Sequence, residues 1–289
     1  MIFLLIAICA SVSVSILLKA VKNSRIEIPQ IIFWNYIVAT GLSYFFLYKP
    51  ETPISALVNS SNWYIFVLLG ILLPTVFIVM GKAVQTSGIA KADTASRISL
   101  AIGILASFTI FQQKLTVLAI IGVALAFVAI LMLLNRGQSA RTISEQIAVR
   151  ESKFAWLWLF LVWLGYGSID VLLKLMAVKD TMSLLMLIFI LAAVVMLVYN
   201  LQRKTKFNFA SVLAGILLGA LNFTNIFTYV RAHQELHGHT ALVFTSMNIG
   251  VIALSLLVGV IFKERISKVN YLGILLAVVA IGLIALGRN

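Results

Sequence analysis

The sequence predicts an all-α integral membrane protein whose ten transmembrane helices form two inverted five-helix repeats. Three observations carry that prediction. Of the 289 residues, 62% are hydrophobic and 11% charged, with a mean hydropathy of +1.09; this is too little polar surface to cover a water-soluble globule of this size. The apolar residues fall into ten runs of about 20, the length at which a helix crosses the hydrocarbon core with its backbone bonds satisfied internally. The second half of the chain also repeats the pattern of the first.

In order, the runs predict spans at 2–18, 29–48, 63–81, 91–111, 115–134, 154–174, 182–200, 209–230, 240–262 and 269–287. The first has no basic residue ahead of Ile2 and has a counterpart in mid-chain, so it reads as a retained helix rather than a signal peptide. Trp63, Tyr64, Trp156, Trp158, Tyr199 and Tyr271 fall near span ends, where aromatic rings prefer the interface. The longest connection is the polar segment 136–153, which separates a first repeat, 1–135, from a second, 154–289. The single cysteine, Cys9, excludes an internal disulfide framework.

The fifth and tenth spans align without gaps at an offset of 151. Phe111 to Ile130 overlies Phe262 to Ile281 with seven identical positions, Gly122/Gly273 and Ala126/Ala277 among them. SVSILLK ending at Lys19 overlies SIDVLLK ending at Lys174, and Lys82-Ala83-Val84-Gln85 overlies Arg231-Ala232-His233-Gln234. Apolar composition alone does not align Lys, Gln and Gly. Five is odd, so the second copy enters the membrane in the opposite sense, the inverted-repeat arrangement that alternating access uses. Of the 22 Lys and Arg, 16 lie in or beside odd-numbered connections, with Arg97 of span four counted to the third, and six in or beside even-numbered connections and the C-terminus. The positive-inside rule then puts the odd connections in the cytoplasm and both termini outside. The net charge of +13 is thereby accounted for by topology and anionic head groups, without nucleic acid.

With these residues in place, the chain resembles a ten-helix transporter of the EamA-domain type in the drug/metabolite transporter superfamily. FKERIS followed by NYLGILLAVVAIGL is similar to that family's Glu-Arg-Leu-Ser junction and Gly-led helix, and [Lys/Arg]-Ala-x-Gln recurs in spans three and eight. Two features depart from the pattern. Gln113 stands where the first copy's junction Glu belongs, leaving that role to Glu264, and spans four and nine lack the family's proline. The resemblance implies carriage of a small organic solute, such as an amino acid, a sugar or a drug-like metabolite, in a bacterial cytoplasmic membrane.

Ionisable and amide side chains at membrane depth mark candidate sites, because each is costly unless it faces the bundle interior. In span four, Asp93 and Arg97 share a helical face, with Arg97 suited to clamp an anionic group. The competing reading is a pair anchoring the helix end. Span six sets Trp163, Tyr166 and Asp170 along one side, with Lys174 a turn further on. Asp170 is the candidate proton-coupling group; a structural pair with Lys174 is the alternative. Lys19 and Lys174 read as snorkelling anchors. Asn222 and Asn225 in span eight, Asn248 in span nine, and Asn35 beside Trp34 in span two are candidate substrate contacts or interhelical bonds.

The expected function is secondary active transport of a small metabolite, with protons as the candidate coupling ion and with neither cofactor nor catalytic site. Binding is assigned to Trp34, Asn35, Arg97, Trp163, Tyr166, Asn222, Asn225 and Asn248. Two alternatives stand beside it. One is a metal-dependent membrane protein using His233, His237 and His239 of HQELHGH, a segment in which Gln234 occupies the place of a zinc-protease glutamate. The other is a non-transporting accessory subunit.

Overall fold

In the computed structural model, residues 1–21, 27–48, 63–87, 89–114, 116–134, 155–178, 182–261 and 267–287 are described. They form eleven helices: α1 (Ile2–Val21), α2 (Ile28–Leu47), α3 (Trp63–Ser87), α4 (Ile89–Ile98), α5 (Leu100–Thr109), α6 (Val117–Leu134), α7 (Ala155–Val178), α8 (Leu184–Gln202), α9 (Phe209–Glu235), α10 (Thr240–Ile261) and α11 (Lys268–Leu286). Seven of these are long and apolar enough to cross a membrane; α1 and α6 add shorter apolar stretches. The segment 136–153, Glu264 and the side chain of Lys19 lie outside the described residues.

Two features differ from the sequence expectation. Helices α3, α7 and α9 run past the apolar runs that predict them, to Ser87, Val178 and Glu235. Lys, Ala, Gln, Arg and Glu in these extensions are good helix formers, and a helix ends where its backbone is broken, not where hydrophobicity stops. The fourth span is also divided at Ser99. The Ser99 hydroxyl donates to Ser96 O at 2.6 Å, Ser96 Oγ to Asp93 O at 2.8 Å, and the Ile102 N–H bonds to Ser99 O, only three residues back. Serine hydroxyls competing for helix carbonyls tighten the turn just beyond Arg97.

The chain packs as two compact units, neither of which is a sequence half. The first comprises Met1–Thr75 and Leu172–Glu235; the second, Val76–Val171 and Leu236–Asn289. In the first, α9 packs on α1 and α2, and α2 on α8. Two glycines seat these helices. A Cβ on Gly70 of α3 would stand 2.7 Å from Leu191 of α8, and one on Gly219 of α9 would stand 2.7 Å from Asn35 O of α2. Gly70 and Gly219 are separated by the same offset as Lys82 and Arg231, and so are the hydroxyl bonds Thr75 to Ile71 O and Thr224 to Ala220 O. Equivalent residues therefore do equivalent packing work.

The second unit shows the same relation more directly. Gly122 of α6 lies against Ile284 and Gly273 of α11 against Leu133, contacts that exchange under the 151-residue offset. At one end of this pair Thr116 Oγ1 donates to Gly287 O at 3.1 Å. At the other, Asn270 Nδ2 donates to Met132 O and Leu133 O at 3.0 and 2.9 Å, while Asn270 and Ser267 form a capping box. Each helix start is tied to the other's end, so α6 and α11 run antiparallel. Likewise the Gln113 side-chain oxygen, just beyond α5, accepts from Ala241 N at the start of α10, and Gly103 of α5 lies against Phe244.

Candidate functional site

The second unit gathers ionisable side chains from spans four and six. Gly167 of α7 leaves no room for a Cβ against Ile102 of α5, and Gly165 abuts Val76 of α3, so α7 approaches both neighbours closely. The buried residues Ala83 of α3, Ala92 of α4 and Val162 of α7 form a core, with Trp158 and Tyr166 packed on it. This arrangement brings the Tyr166 hydroxyl into the electrostatic field of Arg97, Asp93 and Asp170.

Arg97 Nε lies 3.6 Å from Asp93 Oδ1, an ion pair too long for a hydrogen bond, with both side chains about three-quarters buried. Three charged groups from two helices, a guanidinium and two carboxylates, thus act on one phenol. Such a set can hold an anionic group on the guanidinium and take up or release a proton on a carboxylate. It also sits beside the helix interruption at Ser99, and irregular backbone at membrane depth is tolerated only where it is covered by protein or lines a cavity.

The remaining candidates of this unit make contacts along their own helices. Trp163 is half-buried with its ring 5.6 Å from Phe160. Asn248 of α10 is buried and donates to Phe244 O, one turn back on its own helix. Beside it, the buried hydroxyls of Thr245 and Ser246 meet no hydrogen-bonding partner among the described residues.

In the first unit, Trp34 and Asn35 of α2 lie under Gly215 and Gly219 of α9. Asn35 is fully buried, yet neither its Nδ2 nor its Oδ1 finds a partner among the described residues, and the same holds for Trp34 Nε1. A buried amide without partners costs about 1–3 kcal/mol. Asn222 is half-buried on α9, and Asn225 donates to Ala7 O of α1 at 2.8 Å.

Lys174 corrects an expectation. It is not a snorkelling anchor: it is 1% exposed and donates to His233 O of α9 at 3.3 Å. Its position four residues short of the helix end suits snorkelling equally well, and no sequence signal separates the two; a carbonyl on the neighbouring helix decides. The histidines do not act together. His233 is buried edge-on against Tyr229, with ring centroids 4.8 Å apart, while His237 is exposed in the following turn. Among the described residues no group of three His, Cys, Asp or Glu side chains is placed to hold a metal ion.

Comparison with known proteins bears on the family and the fold. Residues 1–135 match the EamA-like transporter family. An uncharacterized protein of Haemophilus influenzae is 44% identical over 288 residues, covering 96% of this chain and 95% of the relative. A solved crystal structure superposes with a TM-score of 0.75 over 100% of this chain and 98% of its own; at 14% identity the likeness is one of fold.

Proposed function

The chain belongs to the EamA-like transporter family, and on that premise we propose that it is a secondary active transporter that moves a small organic metabolite by alternating access, coupled to protons. The observation that carries this reading is the meeting of Asp93, Arg97, Tyr166 and Asp170 beside an interrupted helix. In this account Arg97 binds an anionic group of the solute, Asp93 holds the guanidinium, Trp163 and Tyr166 supply aromatic walls, and Asp170 carries the proton. Asn248 of the same unit adds a polar contact, and within the first unit Trp34, Asn35 and Asn222 form a separate candidate contact set, while Asn225, bonded to Ala7 O, holds α9 to α1.

The scaffold is read as two inverted five-helix repeats. Antiparallel packing of α6 on α11, with contacts that exchange under the repeat offset, supports this, because equivalent helices of oppositely inserted copies must run in opposite directions. The excess of Lys and Arg in odd-numbered connections supports a cytoplasmic location for those connections, with both termini outside, in a bacterial inner membrane.

Purified protein tests the proposal in two steps. Screening a metabolite library by thermal shift finds a ligand, since a compound that binds the folded form alone raises its apparent stability. Proteoliposomes preloaded with that compound are then expected to exchange it for labelled compound outside. A ligand that binds but is never exchanged contradicts transport.

A further inference from the structure

The connection between α8 and α9 plays no part in this mechanism. It carries Arg203, Lys204 and Lys206, all three exposed. Helix α8 has 19 residues and so rises roughly 28 Å at about 1.5 Å per residue, close to the ~30 Å hydrocarbon core. The connection therefore lies at a membrane–water boundary.

Its conformation is fixed at each step. The Arg203 guanidinium lies 5.6 Å from the centroid of the Tyr199 ring, and Nη1 donates to the Tyr199 hydroxyl at 3.2 Å. A guanidinium has five N–H donors, so this bond leaves the fork with capacity for a further partner. The Thr205 N–H donates to Asn200 O and the Lys204 N–H to Leu201 O, the paired bonds of a Schellman turn. In that turn Lys204 takes the left-handed position, φ 51°, which glycine occupies at least cost. A lysine there accepts backbone strain and places a cation at the tip. Beyond it, Asn208 Oδ1 accepts from Ala210 N at the start of α9. The Asn208 N–H donates to Gln30 Oε1 and Asn200 Nδ2 donates to Pro29 O, each at 3.0 Å, tying the turn to the start of α2 within the first unit.

Two features select an occupant. The neighbouring carboxylate is that of Glu27, whose N–H donates to Ser211 Oγ at 3.2 Å; one carboxylate against three cations leaves the turn net positive. Leu201, Phe207 and Phe209 beside these cations are 63%, 58% and 74% exposed. The charge calls for an anion, and the exposed apolar side chains call for one that carries hydrocarbon.

We propose that this turn binds the head group of an anionic phospholipid, its phosphodiester held by Arg203, Lys204 and Lys206 and its acyl chains lying against Leu201, Phe207 and Phe209. A zwitterionic head group brings its own ammonium against three cations. A free phosphate engages the cations and leaves the apolar side chains uncovered.

The test reconstitutes the full chain in nanodiscs of phosphatidylcholine with or without phosphatidylglycerol of identical acyl chains. Phosphatidylglycerol is expected to raise Tm by about 2–4 °C, and inorganic phosphate added to phosphatidylcholine discs to leave it unchanged. Lys204→Gly is expected to reduce that gain without lowering the Tm in phosphatidylcholine, because glycine relieves the left-handed backbone. Adding Arg203→Gln and Lys206→Gln is expected to abolish the gain, whereas Arg231→Gln, one cation removed near the far end of α9, retains it. Native mass spectrometry of the unaltered protein against an equimolar lipid mixture reads the site without variants: phosphatidylglycerol is expected to be retained preferentially. Equal retention of the two lipids, an equal gain from inorganic phosphate, a gain surviving in the triple variant, or one lost as fully in Arg231→Gln overturns the proposal.

Discussion

Asn225, Asn200 and Lys174 of the first unit each donate to a backbone carbonyl of another helix, whereas Asp93, Arg97 and Asp170 of the second act by charge on the Tyr166 hydroxyl. A side chain bonded to a neighbour's backbone fixes two helices, and its loss is felt as stability. The Arg97–Asp93 pair at 3.6 Å is longer than a hydrogen bond, so a guanidinium held this way can turn to a ligand without breaking one. Within the first unit, Asn35 departs from this pattern: it is buried, with no partner for its amide among the described residues, and lies next to the equally unpartnered Trp34 Nε1.

The contrast can be broken by substitution. The largest effect is expected for Arg97→Gln, which removes a charge-assisted clamp: transport of the identified ligand should fall by roughly 100-fold or more, with Tm little changed, read from initial rates in proteoliposomes. Wild-type rates with this variant assign Arg97 to the scaffold. For Asn35→Leu, thermal unfolding and uptake should move in opposite directions. Removing an unpartnered buried amide stabilises by about 1–3 kcal/mol, and transport is lost in exchange. A variant that is both less stable and fully active makes Asn35 a structural residue.

Smaller effects sharpen the packing side. Gly122→Ala brings a Cβ within 2.7 Å of Ile284 Cγ1 and 2.9 Å of the Ala280 backbone oxygen, while Gly273→Ala meets only side-chain atoms at 3.1 Å. The first should cost about 1–3 kcal/mol and the second distinctly less; equal Tm values for the two contradict the described contact. Asn225→Ala loses its bond to Ala7 O and should cost about 1 kcal/mol, with the ligand KM unaltered. A raised KM moves Asn225 from the helix contact to the binding site.

Much of this was legible in the sequence, and for identifiable reasons. Hydropathy and the aligned copies locate the spans because lipid makes length and apolarity obligatory. The spacings Asp93/Arg97 and Trp163/Tyr166/Asp170 mark the two helices that carry the charged cluster. That the two sets act on one another was not legible, because periodicity orients a side chain on its own helix and says nothing about which helix it faces; the close approaches of Gly165 to Val76 and Gly167 to Ile102 belong to the fold alone. The break at Ser99 was hidden because serine fits a helix and bends it only through hydroxyl bonds that depend on rotamer. Lys174 was misread because burial depends on the His233 carbonyl, contributed from far along the chain. The histidine run placed three potential ligands close in sequence, but His233 turns inward on α9 while His237 faces out.

The central claim is that the charged cluster of the second unit couples solute movement to protons, and Asp170→Asn tests it most directly. Vesicles bearing this variant should show no uptake driven by a pH gradient, while counterflow exchange of the same solute persists, because the substitution keeps the shape of the site and removes only its exchangeable proton. Undiminished proton-driven uptake by Asp170→Asn contradicts the account.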